Sequence, residues 1–364
     1  MKASPREKLI IAAVALPPPV HGQSLVNAEI VSELWCRQSK VIVADLSPSR
    51  SKRSFNYHFT RFLRVYRAIL IVASHGTHKH KTLYTVMEAG QGAVYSAVLV
   101  LLARILRYKI IVHHHSSSYL RLKSALHRLA VCFSGPRCIH VVLGNQMREE
   151  FLREFNVRPQ CVAISSNATY FAGAQRTKCQ HPGEKVILGL LSNLSAEKGL
   201  GEAIKIALLC VSRGLDISLL LAGPVSEKDE YLIRDAKILL GNRLEMVGPV
   251  HSAEKWRFFE RINVFLFPST YKNEAQPLVL LEAMSCGIPI VTSDNGYIRE
   301  LIDDAGLVLH MNEDFSKQAV DFIQSLVSNP RKFVECSNKS IGRYRALLDQ
   351  SNEQKASLIN SIVR

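Results

Sequence analysis

The chain has 364 residues, 47% of them apolar, and a formal net charge of +15. That length exceeds one ordinary core and suits two domains, and the apolar share excludes a disordered chain. Residues 1–180 carry 25 Lys and Arg against 8 Asp and Glu, whereas residues 181–364 carry 21 against 23. An anionic surface or substrate is therefore expected to meet the N-terminal half alone; the plainer alternative is a basic domain without a dedicated partner.

In chain order, "KLIIAAVAL" reads as the first strand. It runs into "PPPVHG" with no small-residue cleavage site, so no signal peptide is expected. In "PPPVHGQS" (17–24) three prolines stiffen the exit and Gly22 leaves room for close backbone approach. This is not GxGxxG, so nothing in it asks for NAD. "KVIVADL" is the second strand.

The stretch 47–67, "SPSRSKRSFNYHFTRFLRVYR", leads into a helix that mixes aromatic and basic residues. It reads either as a segment lying on an anionic membrane or as a cationic solvated face over an ordinary apolar stripe. "TLYTVM" is a strand. "EAGQGAVYS" (88–96) is a glycine turn that either touches an acceptor or leads into a helix. The longest apolar run, "AVYSAVLVLLA" (93–103), is too short to span a bilayer and reads as a buried core helix.

"YKIIVHHH" is a strand running into "HHHSSS" (113–118). His-rich tracts can bind zinc, but consecutive residues of a strand face opposite ways, so three in a row do not converge and no metal is expected. "CIHVVLG" and "QCVAIS" complete the strands of the first half. Apolar periodicity lapses over 167–185. This predicts a basic N-terminal domain (1–180), a second domain (181–345) and a closing helix (346–364). The eight cysteines form no CxxC and read as reduced, placing the chain in the cytoplasm, with the inner face of the membrane as a peripheral location.

In the second half "KVILGLLSN", "ISLLLAGP", "LEMVGPV", "NVFLFPS" and "IPIVTS" are strands, alternating with helix-length segments. Near-continuous Val/Ile/Leu runs suit parallel strands covered on both faces, so the fold class is α/β with two Rossmann-like domains. "SNPRKFVECSNKSIGRYRALLDQ" and "SNEQKASLINSIVR" read as two closing helices.

Within "EAQPLVLLEAMSCGIPIV" (274–291), Pro277 suits the first helical position and Gly287 the stop. A helix starting just after Glu274 would carry Glu282 on its second turn. It would offer the unpaired N–H groups of residues such as Leu278 and Val279 to a phosphate. Carboxylates on either side of that phosphate would accept hydroxyl bonds, which matches the layout of a nucleotide-diphosphate sugar.

"NEAQPLVLLEAMSCGIPIVTSDNGYIREL" resembles the nucleotide-sugar-binding motif of glycosyltransferase family 4, retaining enzymes of the GT-B fold. The likeness extends through "ILGLLSNLSAEKGLGEAI", "LLLAGPVSEKDE" and "VGPVHSAEKW", and more loosely to "LPPPVHGQSLVN" and "VHHHSSS". It implies two Rossmann-like domains facing each other across a cleft. It also implies transfer of a sugar, such as that of a UDP-sugar, to an acceptor saccharide or lipid-linked saccharide, without a metal or other cofactor.

By that resemblance Glu274 takes the donor sugar, Glu282 the ribose hydroxyls and Lys198 the diphosphate. Backbone N–H groups of Ala275, Gln276, Leu278 and Val279 hold sugar and phosphate, Gly22 approaches the diphosphate, and His115 meets a sugar hydroxyl. Gly296 is expected to line the donor site. Asn193 stands where the family usually has Arg, which leaves Lys198 as one cation at the leaving group. The nucleotide-sugar reading is expected to fail if the tip of Glu282 is buried in a private salt bridge or turned away from the seam between the halves. Two alternatives stay open: an epimerase or hydrolase of the same fold, and a non-catalytic binder. Nucleic acid is not expected, because the basic half has no RNP or helix-turn-helix signature.

Overall fold

Each of the eleven stretches expected to be strands forms one in the computed structural model, which describes residues 8–37, 40–47, 55–170, 181, 183 and 185–364. The chain divides into one unit comprising Met1–Phe171 with Gln350–Arg364, and a second comprising Ala172–Asp349. Most of 167–185 falls outside the described residues, as do residues 48–54 of the basic stretch.

The first unit runs β1 (Leu9–Val14), α1 (Gly22–Cys36), β2 (Lys40–Asp45), α2 (Phe55–Ser74), β3 (Lys81–Met87), α3 (Ala93–Ile105) and β4 (Lys109–His114). It continues with α4 (Ser118–Arg121), α5 (Ala125–Ser134), β5 (Ile139–Val142), α6 (Asn145–Phe155) and β6 (Val162–Ile164). All strands are parallel, in the order β2-β1-β3-β4-β5-β6. β1 is buried along its whole length, as a strand covered on both faces must be.

The second unit runs β7 (Lys185–Leu191), α7 (Leu200–Ser212), β8 (Asp216–Ala222), α8 (Glu230–Leu240), β9 (Leu244–Gly248), α9 (Ser252–Arg261) and β10 (Val264–Phe267). Then follow α10 (Leu278–Ser285), β11 (Ile290–Ser293), α11 (Ile298–Ile302), β12 (Gly306–Leu309), α12 (Phe315–Ser328) and α13 (Pro330–Val363). The sheet is again parallel, in the order β12-β11-β10-β7-β8-β9. Its order reverses between β7 and β10, the neighbouring central strands, and in such sheets ligands sit at the C-terminal ends of that pair. The core beneath is built from Leu188, Leu190, Leu219, Leu221 and Leu266 against Ile206 and Val320.

Three expectations are corrected. β12 is a strand the sequence pattern does not announce, four residues long and only half-buried. The two closing helices are one, because nothing between Gln350 and Ser351 breaks a helix. Within the second unit Ser340 Oγ–H donates to the carbonyls of Ile288 and Ala305, at 3.1 and 2.9 Å. Within the first, Lys355 pairs with Glu29 at 3.2 Å and Gln354 accepts from Ser166 N–H at 3.0 Å. Finally, α3 is not simply a core helix. Its Ala97, Val100 and Ala103 are buried, but Val94, Val98 and Ile105 are 45–67% exposed.

Candidate functional site

The loops that leave β7 and β10 are tied together. Thr270 N–H donates to the Glu197 carbonyl at 2.8 Å. The loop after β11 joins them: Ser293 Oγ–H and Asn295 Nδ2–H donate to the Ser269 carbonyl at 2.6 and 3.0 Å. Tyr297 N–H reaches the Ala275 carbonyl at 3.2 Å. Gly296 has φ +64, and a Cβ there would lie 2.3 Å from the Glu274 carbonyl oxygen. Gly199 has φ +83, and a Cβ there would lie 2.4 Å from the Pro268 carbonyl oxygen. Both loops approach so closely that only glycine fits.

The framework brings Lys198 and Glu274 into contact although 76 residues separate them. Lys198 Nζ donates to Glu274 Oε1 in a very short ion pair. Ser269 Oγ–H donates to the same oxygen at 3.1 Å. The Lys198 ammonium also lies 4.3 Å from the centre of the Tyr271 ring, where the ring's negative face attracts a cation. The Glu274 side chain is 8% exposed and that of Lys198 22%, so the pair meets solvent through its lysine.

α10 begins later than the sequence pattern suggests. Pro277 is its N-cap, with extended backbone (φ −64, ψ 126), and Leu278 is the first helical residue. The N–H groups of Leu278 and Val279 open the helix and lack intrahelical acceptors. Those of Ala275 and Gln276 belong to the preceding loop. The helix ends at Ser285 with Cys286 as its C-cap, before Gly287 at φ +68.

Glu282, on the second turn of α10, does not stand alone. Lys255 from α9 reaches it, with Nζ 2.5 Å from Oε1, and the Glu282 side chain is only 4% exposed. Burial raises the Glu282 carboxyl above its usual range, and the nearby Lys255 charge opposes that rise. The expectation of an uncommitted carboxylate is thus corrected: the acid inside an apolar helix is met by a lysine. A buried carboxylate without such a partner would cost several kcal/mol. Sequence reasoning missed Lys255 because it lies 27 residues away on a separate helix; its signal was only a basic residue in "HSAEKW". Asn193 is exposed at the C-terminal end of β7, next to Ser192, whose hydroxyl is buried without a hydrogen-bond partner.

Gly22 and His115 belong to the first unit. Gly22 is the exposed first residue of α1, capped by His21, whose Nδ1 accepts from Ser24 N–H at 3.2 Å. His115 follows β4. Neighbouring histidines do diverge: His113 Nδ1 shares a hydrogen bond with Tyr84 OH at 2.9 Å, while His114 turns to Tyr119 and His140. His113 and His115, two apart, share a side, with ring centres 4.0 Å apart.

The Nε2 atoms of both are buried without a partner. Burial, with help from the nearby His21, pulls His115 down to about 3, so it is neutral. His113 is driven well below its ordinary value by burial and by the two neighbouring histidines.

Residues 172–343 match the family described as Glycosyl transferases group 1. WcaL of Salmonella typhimurium, named for a glycosyltransferase of colanic acid biosynthesis, is 25% identical over 219 residues. That alignment covers 55% of this chain and 53% of WcaL, so the chain spans about half the length of this curated relative. Anabaena HepE, solved in complex with UDP, superposes with a TM-score of 0.68 at 16% identity, over 96% of this chain and 100% of HepE. Sucrose-phosphate synthase from Thermosynechococcus elongatus gives 0.70 at 16% identity, over 98% of this chain and 99% of that one. The likeness to the group 1 glycosyl transferases thus lies in residues 172–343, and the two Rossmann-like units have the GT-B fold.

Proposed function

We propose that the protein moves a sugar from a nucleotide-diphosphate donor to an acceptor hydroxyl, with retention of anomeric configuration, during polysaccharide or glycolipid assembly. The observation that carries this reading is the meeting of Lys198 and Glu274 at the point where the β7/β10 sheet order reverses. A cation and a carboxylate placed there suit the two parts of an activated sugar. The diphosphate competes with Glu274 for the Lys198 ammonium and rests on the opening N–H groups of α10. Glu274, once released, accepts hydroxyl hydrogen bonds from the sugar. As the anomeric C–O bond breaks, negative charge collects on the departing diphosphate, and Lys198 with the helix dipole stabilises it.

Glu282 is buried and committed to Lys255, so the ribose role expected of it is withdrawn. The reading rests on Lys198, Glu274 and the opening N–H groups of α10. For His115 the role is a hydrogen bond from the unpartnered Nε2 side to a substrate hydroxyl. UDP is the first nucleotide to test, since HepE was solved with it. The name of WcaL supports an exopolysaccharide setting. The reaction is read as needing no metal, with Lys198 doing the work of charge neutralisation. Inhibition by EDTA that Mg²⁺ reverses would overturn that part.

Asn193 favours a second reading, a binder that has lost turnover, because the resemblance has a second cation there. One experiment separates the two. Nucleotide sugars that raise the melting temperature are incubated with the protein and acceptor extracts. Release of nucleoside diphosphate that depends on acceptor supports transfer. Stabilisation without release supports the binder, and release without acceptor supports a hydrolase.

A further inference from the structure

α2 is apolar on two sides. Val65, Ala68 and Val72 are buried beneath it, yet Phe59, Phe62, Leu63, Tyr66 and Leu70 are each 42–55% exposed. These five fall at i, i+3, i+4, i+7 and i+11, which is one stripe of a helix. The Phe62 and Tyr66 rings stack along it, with centres 6.4 Å apart. An amphipathic helix on a sheet needs only its inner stripe to be apolar, so the outer one calls for cover.

The stripe has neighbours. The steps from β2 to β3, β3 to β4 and β4 to β5 all advance the same way along the sheet. Right-handed crossovers therefore put α2, α3 and α5 on one face, and α3 packs against both of the others. α3 adds Val94, Val98 and Ile105, and α5 adds Leu129, with Leu122 just before it. Contiguous exposed apolar surface from three adjacent helices marks an interaction site, whereas single exposed leucines do not.

Charge selects the occupant. Between Asp45 and Glu149 the sequence holds 16 Lys and Arg and one acid, Glu88. That acid is paired with Arg61 at 2.9 Å. Exposed arginines stand on each helix of the face: Arg67 on α2, Arg104 on α3, which also donates to the Cys132 carbonyl at 3.0 Å, and Arg128 on α5, which is paired with Glu154 at 2.7 Å. A protein partner would need a large acidic, apolar-centred surface cut to this shape. Anionic headgroups over acyl chains offer both properties everywhere, and aromatic side chains flanked by arginine suit that boundary. Among the described residues no helix is long and apolar enough to cross a membrane, so contact is in plane.

We propose that α2, α3 and α5 form the face by which the first unit lies on an anionic lipid bilayer, with Phe59, Phe62, Tyr66 and Leu70 reaching past the headgroups. This goes beyond the sugar-transfer reading and does not depend on it.

Flotation of the full chain with vesicles tests the proposal, comparing phosphatidylcholine alone with the same lipid containing roughly a third phosphatidylglycerol. The protein is expected to float with the anionic vesicles and remain behind with the neutral ones. Arg67→Gln should weaken partition about five-fold. The double variant Phe62→Ser/Tyr66→Ser should weaken it about ten-fold or more while melting at the wild-type temperature. The variant Phe62→Trp, a change that keeps an aromatic ring, should show fluorescence quenching by brominated anionic lipid beyond that of the wild type. Failure to float, equal flotation on neutral vesicles, or no added quenching in the Phe62→Trp variant overturns the proposal. A concentration-dependent dimer that Phe62→Ser/Tyr66→Ser dissolves would make a second copy the occupant, and also overturns it.

Discussion

Both units rest on six parallel strands, yet they treat charge in opposite ways. The second unit buries carboxylates and brings each a lysine: Glu274 with Lys198, Glu282 with Lys255. The first buries imidazoles and keeps them neutral: His113, His114, His115 and His140 lie at or beneath the C-terminal ends of its strands, all held below their ordinary value mainly by burial. A paired carboxylate can be released to a ligand by exchanging partners, whereas a neutral imidazole can only donate or accept a hydrogen bond. Under the proposed reading, diphosphate handling would fall to the second unit and uncharged hydroxyl recognition to the first.

Acid should break that symmetry most strongly. A histidine held near 3 in the folded state but near 6.5 unfolded leaves the unfolded chain binding more protons between those values. Its contribution to stability is complete above 6.5 and is lost as pH falls towards 3. For His115 and His140, each at about 3, the loss by pH 5 sums to about 4 kcal/mol. Hydrogen exchange at pH 7 and pH 5 should show protection falling in β4 and β5 before β7 and β10. Equal loss in both sheets would contradict the contrast.

The next largest effect concerns turnover. Lys198→Ala should lower kcat by about 10²–10³-fold, the scale of losing one oxyanion-stabilising group, with little change in melting temperature. Initial rates of nucleoside diphosphate release would measure it. A drop in KM-dependent rate alone would make Lys198 a binding residue.

Smaller again is the cost of stripping Glu282 of its lysine. Lys255→Met should destabilise the second unit by about 2 kcal/mol, below the full range for buried pairs because Lys255 keeps contact with water. The double variant Lys255→Met/Glu282→Leu should recover most of that stability in a thermal melt. Glu282→Leu alone should also be tolerated better than Lys255→Met, since it leaves the more exposed member of the pair uncompensated. Gly296→Ala should cost more than the ~1 kcal/mol of a left-handed backbone, because its Cβ would meet the Glu274 carbonyl oxygen at 2.3 Å, and should weaken donor-induced stabilisation by displacing the Glu274 loop.

What could be read from the sequence followed the range of the interactions. Strands such as "KVILGLL" and "YKIIVHH" were legible because a strand buried on both faces announces itself within a few residues. Gly306–Leu309 was not, being a short, half-buried edge. Glu274 and Lys198 were identified through the motifs around them, but their contact depends on two loops held together by Gly199, Gly296 and Asn295. Lys255 was invisible for the same reason: no local pattern says that α9 will meet α10. The paired faces of His113 and His115 follow from the two-residue period of a strand; attention to all three histidines hid it.

The long helix α13 has a consequence for biosynthesis. The first unit is built from residues up to 171 but is completed by residues 350–364, which supply the Lys355 and Gln354 contacts to α1 and the segment after β6. Because translation runs from N to C, the earlier segment must wait until the whole second unit and the later segment have been made. During that interval its unfinished surface is open to chaperones and proteases, and a stop codon after Asp349 would make the wait permanent.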